Sequence, residues 1–175
     1  MITLQELNAL NESEFVTLIG PIFEDSPWIA KRTWPNRPFD NVDSLHYSLC
    51  QSVHKAREEE KLALIRAHLD LAGRAARQGS LTPESTVEQA GAGLDRLTDE
   101  ELASFSRMNQ EYRARFGFPF VVCVGEHTKE SILTSFAARL ENTKERETET
   151  ALAEVCKIAR LRLYDLVATP AEERS

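Results

Sequence analysis

The chain has 175 residues, 42% of them hydrophobic and 7% aromatic, with 21 basic against 28 acidic side chains and a formal net charge of −7. That length suits one domain with its own core, needing neither a staple nor a structural metal, and the apolar share is too high for a disordered chain. So acidic a surface repels phosphate backbones, and no nucleic-acid partner is expected. Cys50, Cys123 and Cys156 show no CxxC spacing and read as free thiols of a reducing compartment. No apolar run approaches the roughly 18 residues of a membrane span. The first ten residues lack the basic start and apolar stretch of a secretory leader. The expectation is a cytoplasmic protein with no membrane partner.

Helical periodicity dominates. Thr3 and Asn11 stand where two short helices would take their N-caps, and Asn11-Glu12-Ser13-Glu14 has the form of a capping box. Residues 20–38 hold Pro21, Pro27, Pro35 and Pro38 and both tryptophans. Proline fixes φ and removes a donor, so short helices and loops are expected there. Asn41-Val42-Asp43 opens a long amphipathic helix with Leu45, Leu49, Val53 and Ala56 on one face. Residues 58–71 continue as helix, with Leu62, Leu64, Ile65, Leu69 and Leu71 turned inward.

Gly79-Ser80-Leu81-Thr82-Pro83 reads as a loop leading into a short helix, which Gly91 and Gly93 weaken. Thr98-Asp99-Glu100-Glu101 is a further cap signature, heading a helix that runs to about Gly117. Residues 118–124 are strand-like but have no second run to pair with, so an extended buried segment is expected instead of a sheet. Two helices over 128–142 and 143–167 close the chain, with Ile132, Phe136 and Leu140, then Leu152, Val155, Ile158, Ala159 and Leu163, on the helical period. The expected fold is all-α: a single-domain helical bundle over residues 1–175 with one extended buried segment at about 118–124.

No P-loop, GxGxxG, HExxH or GxSxG motif occurs. His46, Cys50 and His54 share a helical face at a spacing that could begin a zinc site. No fourth ligand is evident and the trio flanks an apolar stripe, so no metal is expected. His127 follows Gly125-Glu126 and reads as a surface residue. His68 differs, because it ends a helical run beside Asp70, and a helix C-terminus raises the proton affinity of an imidazole. From position alone a structural histidine is the better reading. Ser85, Glu88 and Gln89, at i, i+3 and i+4, can converge on one ligand. The same spacing also fits a capping box, with Ser85 as cap and Glu88 reaching back. Phe116-Gly117-Phe118-Pro119-Phe120 reads as a hydrophobic plug, or as a buried non-helical stretch whose amides need partners. A flat heterocycle rich in donors and acceptors would supply them, so the amides of residues 122–124 are expected to face a ligand.

Five stretches follow one another along nearly the whole chain. They are Phe23-Glu24-Asp25-Ser26-Pro27-Trp28; Ala67-His68-Leu69-Asp70-Leu71-Ala72-Gly73; Ser85-Thr86-Val87-Glu88-Gln89-Ala90-Gly91-Ala92-Gly93-Leu94-Asp95; Asn109 and Tyr112 leading to Phe116-Gly117-Phe118-Pro119-Phe120-Val121-Val122-Cys123; and Lys157-Ile158-Ala159-Arg160-Leu161-Arg162-Leu163. In this register the chain resembles the 2-oxo-4-hydroxy-4-carboxy-5-ureidoimidazoline (OHCU) decarboxylases, which complete the conversion of urate to allantoin. One position departs: the family usually has His-Pro-Asp-Leu, and Leu69 stands in place of that proline.

The resemblance implies a helical carboxy-lyase, commonly a homodimer, that takes a small ureide to (S)-allantoin and CO2 without a cofactor. It makes His68 and Glu88 the catalytic pair. It sets Leu69, Ser85, Gln89 and the stretch Phe120, Val121, Val122, Cys123 and Val124 against substrate, and gives Arg162 an anionic group to hold. The chemistry fits these residue types. Electrons released with CO2 can enter the adjacent imidazoline system, so the ring is its own sink. The protein has to hold the carboxylate out of the ring plane and deliver a proton to one face. Arg162 offers a planar, permanently charged fork, although an exposed ion pair with a neighbouring carboxylate is the plainer use. His68 titrates near neutrality and suits general acid–base work, which Glu88 shares if burial raises its pKa. The imidazole of His68 and the carboxyl of Glu88 are expected to meet across a small cavity. The competing reading is a non-catalytic helical module that binds ureides or regulates, and Leu69 is the feature that points to it.

Overall fold

Local signals build most of the elements. The computed structural model describes residues 1–71, 94 and 96–168. In chain order its elements are β1 (Ile2–Thr3), α1 (Leu4–Ala9), α2 (Glu12–Ile19), α3 (Pro27–Thr33), α4 (Val42–His54), α5 (Glu58–Arg66), α6 (Asp99–Phe116), α7 (Lys129–Leu140), α8 (Lys144–Leu166) and β2 (Val167–Ala168), with single 3₁₀ turns at Gly20–Ile22, Trp34–Asn36 and Val124–Glu126. Thr3, Asn11, Asn41, Thr98 and Thr128 each close a reciprocal capping box at the start of a helix. In each, the cap side chain and the side chain three residues on satisfy one another's amides. Pro27 occupies the first turn of α3, where a missing N–H costs nothing. Gly117 ends α6 with φ of 79°, a left-handed value that a side chain disfavours. The described chain is therefore mainly helical, as its periodicity implies. No described helix is long and apolar enough to cross a membrane.

Two local expectations change. The helix expected over 58–71 stops at Arg66. Beyond it, His68 N–H bonds the Ile65 carbonyl at 3.2 Å, Asn109 Nδ2 donates to the Leu71 carbonyl at 2.9 Å, and Arg113 Nε donates to Asp70 Oδ1 at 2.8 Å. Side chains of α6 take over the groups that further helix would have used, and Leu69 is turned outward, 39% exposed, instead of inward. Residues 118–124 stay out of any strand, as expected, but one ladder does form: β1 and β2 pair in parallel over Ile2–Val167 and Thr3–Ala168.

The chain groups into two compact units, Met1–Leu64 with Cys156–Ser175, and Ile65–Val155. The first has an aliphatic core, with Leu7, Ile19, Ile29, Leu45, Leu49 and Val53 fully buried beside Phe15. Its proline-rich stretch is pinned by Asn8, whose amide exchanges two bonds of 2.9 Å with the Phe39 backbone. The second has an aromatic core. Phe120 stacks on Phe136 at 3.7 Å, and Tyr112 meets both rings edge-on at 5.3 and 6.1 Å.

Candidate functional site

In the first unit, Arg162 lies on the inner face of α8, 8% exposed. Its Nη1 donates to the Ile22 carbonyl and its Nη2 to Glu24 Oε1, both at 3.2 Å. The backbone explains the meeting. The 3₁₀ turn ends at Ile22, Asp25 takes a φ of 44°, and Pro27 starts α3, so Glu24 sits in a tight turn with no helix of its own. Two of the five quoted stretches are thus joined by one ion pair. It is the pairing with a neighbouring carboxylate that the sequence allowed, but buried where an exposed one was expected. Arg160, two residues earlier, points out to Asp43, which Tyr164 Oη also donates to at 3.0 Å. A polar cleft of about 380 Å³ opens in the same unit beside Arg32, Ser48, Lys55 and Arg57, and no expected site residue lines it.

The second unit contains His68, half-buried in the turn after α5, with Leu69 beside it and Asp70 paired to Arg113 at 2.8 Å. Phe120, Val121, Val122, Cys123 and Val124 are all buried. A buried non-helical stretch must place every backbone group, and four of these are accounted for. Arg139 Nη1 donates to the Val121 carbonyl at 2.7 Å, and Cys123 N–H donates to Glu154 Oε2 at 2.8 Å. The carbonyls of Cys123 and Val124 accept from Glu126 and His127 at 3.0 Å. The expectation that the amides of residues 122–124 all face a ligand is corrected at Cys123. Its N–H serves a buried carboxylate, which needs donors once it leaves water.

Behind this stretch lies a polar network. Arg139 pairs with Glu147 through Nε at 2.7 Å and Nη2 at 2.5 Å, and its guanidinium lies 4.3 Å over the Phe120 ring. Tyr112 Oη donates to Glu147 Oε1, and Asn142 Nδ2 donates to Glu147 Oε2 at 2.7 Å. Burial, and then the bond to Glu147, push the Tyr112 hydroxyl far above its ordinary pKa, so it stays a donor. The network anchors the 120–124 segment from one side.

Ser85, Glu88 and Gln89 lie outside the described residues, as do the 79–83 loop and the helix expected after it. The expected meeting of His68 with Glu88 lies outside the described residues as well. His46 and Cys50 do meet on α4, while His54 is exposed. Among the described residues no group of three or more His, Cys, Asp or Glu side chains is placed to hold a metal ion.

A family model described as OHCU decarboxylase matches residues 8–164. The chain belongs to the OHCU decarboxylase family. It is 39% identical over 165 residues to 2-oxo-4-hydroxy-4-carboxy-5-ureidoimidazoline decarboxylase of Halalkalicoccus jeotgali, covering 94% of this chain and 92% of that one. The protein of the same name from Amia calva is 39% identical over 168 residues, covering 96% of each. Among solved structures, that of (S)-allantoin synthase superposes with a TM-score of 0.78 at 28% identity, over 96% of this chain and 55% of that chain. An OHCU decarboxylase structure determined in the presence of (S)-allantoin, at 24% identity and a TM-score of 0.68, shares the fold.

Within this family member, the residues that sequence reasoning missed are Arg139, Glu147 and Glu154. Their signal was present. Glu147, Ala151, Glu154, Ile158 and Arg162 recur at three- and four-residue steps on α8, and Arg139 falls on the stripe of Ile132 and Phe136. A charge on the apolar face of a helix has to be paired inside.

Proposed function

We propose that this chain decarboxylates OHCU to (S)-allantoin and CO2 in urate degradation, acting as a cofactor-free carboxy-lyase. The observation that carries the reading is the family match over residues 8–164. The site assignments rest on the motif resemblance. His68 and Glu88 form the acid–base pair, while Ser85, Gln89, Leu69 and the backbone from Phe120 to Val124 orient the ring. Arg162 binds the anionic group. Its fork geometry, held by Ile22 and Glu24, supports that role because a guanidinium already fixed in place loses little freedom when an anion arrives. Once CO2 departs, the ring takes up the electron pair, and a proton delivered from one side sets a single enantiomer.

The test generates the labile substrate from urate in situ and follows the circular dichroism of allantoin. The expected result is an accelerated, enantiopure signal, slowed by about 10²- to 10⁴-fold in His68→Asn or Glu88→Ala variants that fold normally. Binding of ureides without acceleration would overturn the reading and leave a ureide-binding module. The same reading includes a homodimer in the cytoplasm. The three free cysteines are consistent with a reducing compartment, and light scattering of the purified protein checks the dimer.

A further inference from the structure

The first unit holds a second reactive constellation, unrelated to the residues assigned to decarboxylation. Cys50 on α4 and Cys156 on α8 are both buried, each 8% exposed, and both are free. One turn before Cys50, His46 places Nε2 at 2.7 Å from the Cys156 carbonyl oxygen and 3.3 Å from Cys50 Sγ. A carbonyl oxygen can only accept, so Nε2 must carry a proton and point it into this corner. It then cannot take the Cys50 proton, and Cys50 sulfur is left as the acceptor. The polarity of the pair follows: Cys50 is the sulfur that faces a donor, whereas Cys156 meets the same imidazole only through its carbonyl.

From this arrangement we propose that Cys50 and Cys156 form a thiol oxidation site, in which Cys50 attacks a peroxide, Cys156 resolves the product to a disulfide, and His46 orients and protonates. The titration behaviour agrees. The neighbouring Cys156 thiol outweighs burial and holds the Cys50 thiol well below its ordinary range, with His46 adding to the effect. Cys156 is pushed up, first by the neighbouring Cys50 thiol and then by burial. Burial opposes protonation of His46, yet its bonds to Cys50 and the Cys156 carbonyl leave its pKa raised.

With hydrogen peroxide as oxidant the steps balance. The Cys50 proton leaves to solvent, the thiolate displaces hydroxide from the O–O bond to give a sulfenic acid, and His46, charged as the imidazolium, protonates the hydroxide to water. The Cys156 thiol then attacks the sulfenic sulfur, an S–S bond forms, and a second water leaves. Two thiols lose two electrons and two protons, and one peroxide becomes two waters. Cys123 is the internal control, since it is buried in the other unit with its amide bonded to Glu154.

The experiment treats the full chain with hydrogen peroxide at neutral pH, alkylates what remains and maps the peptides. An ordinary thiol is only a few per cent ionised at pH 7, so Cys50 is expected to be consumed about tenfold or more faster than Cys123. The product should be a Cys50–Cys156 disulfide that dithiothreitol reverses. In Cys156→Ser the disulfide is lost and Cys50 accumulates as a sulfenic acid trapped by dimedone. In Cys50→Ser neither a disulfide nor a trapped adduct appears at Cys156. His46→Asn, which can still donate to the carbonyl but carries no charge, should slow the loss of Cys50. Oxidation of Cys123 as fast as Cys50, or a Cys50 that stays reduced in Cys156→Ser, overturns the proposal.

Discussion

Arg139 and Arg162 are equally buried, at 8% exposure, and sit one in each unit, yet they are held in different ways. Arg139 grips Glu147 at 2.5 and 2.7 Å, reaches the Val121 carbonyl and covers the Phe120 ring, and its partner carboxylate has no exposed side-chain surface. Arg162 makes 3.2 Å contacts to Ile22 and Glu24, and the Glu24 side chain keeps 12% of its surface in solvent. Burial alone therefore does not say what an arginine is for. The tight, fully enclosed pair belongs to the architecture of a segment. The longer pair beside a turn belongs to a group that is held in place, and it is the one to which the family resemblance gives an anion.

The comparison is broken most forcefully at Glu147. Glu147→Ala leaves the Arg139 charge enclosed without its carboxylate, and losing one partner of a buried pair costs about 3–5 kcal/mol. Urea denaturation should show that loss, and an Arg139→Met, Glu147→Leu double variant should recover most of it, because apolar replacement of both partners is far cheaper. A loss below about 1 kcal/mol, the range of exposed pairs, would mean that the network is not enclosed as described.

Arg162→Met sharpens the other side. A hydrogen bond to a charged group contributes about 1.5–3 kcal/mol, so substrate affinity should weaken about 10- to 100-fold. Adding Glu24→Gln removes the carboxylate that Arg162 faced and should recover stability without restoring turnover. Recovery of both together would make Arg162 a structural residue of the Arg139 kind.

An exposed pair provides the reference for these buried ones. Arg32 binds Glu60 through two bonds of 2.6 and 3.1 Å. The bond from Arg32, and then the one from the Arg57 amide, hold the Glu60 carboxyl down at about 2 against an ordinary 4.5. A depressed carboxylate contributes stability above its unfolded pKa and loses it as pH falls through the folded one. Glu60→Gln should thus be less stable than the parent near neutrality, and the gap should close between about pH 4.5 and 2, as followed by thermal melts. Salt should shrink the gap, since the pair is solvent-facing.

Much of the fold was legible because its rules are local. Thr3, Asn11, Thr98 and Gly117 announce helix ends through their own backbone and side-chain needs. The end of α5 was not legible, because Leu69 and Leu71 continue the helical period while Asn109 and Arg113, some forty residues away in sequence, claim the backbone and carboxylate of that turn. Glu147 sits in Lys144-Glu145-Arg146-Glu147-Thr148-Glu149, a run that reads as solvated charge, and only its register with Ala151 marks it as interior. At the site, Arg162 was legible as an ion-pairing or anion-holding residue. Its choice of Glu24 was not, because that choice depends on a turn with Asp25 in the left-handed region. The ladder between β1 and β2 was equally hidden, since two residues at each end carry no pattern.

The smallest expected effect decides whether the two units behave as one. Thr98 caps α6, which carries Asn109 and Tyr112 of the second unit, and Thr3 caps α1 of the first. Removing such a cap side chain costs about 1 kcal/mol, so Thr98→Ala and Thr3→Ala are matched perturbations placed in different units. If residues 1–175 unfold as the single domain that the sequence suggests, each variant lowers one common transition by a similar amount, and tryptophan fluorescence agrees with far-UV dichroism. Both tryptophans, Trp28 and Trp34, lie in the first unit. Were the units to unfold separately, Thr98→Ala would move the dichroism and leave the fluorescence transition where it was. Coincident shifts in both signals would therefore show that a cap in one unit is felt throughout the other, which is the thermodynamic meaning of one domain.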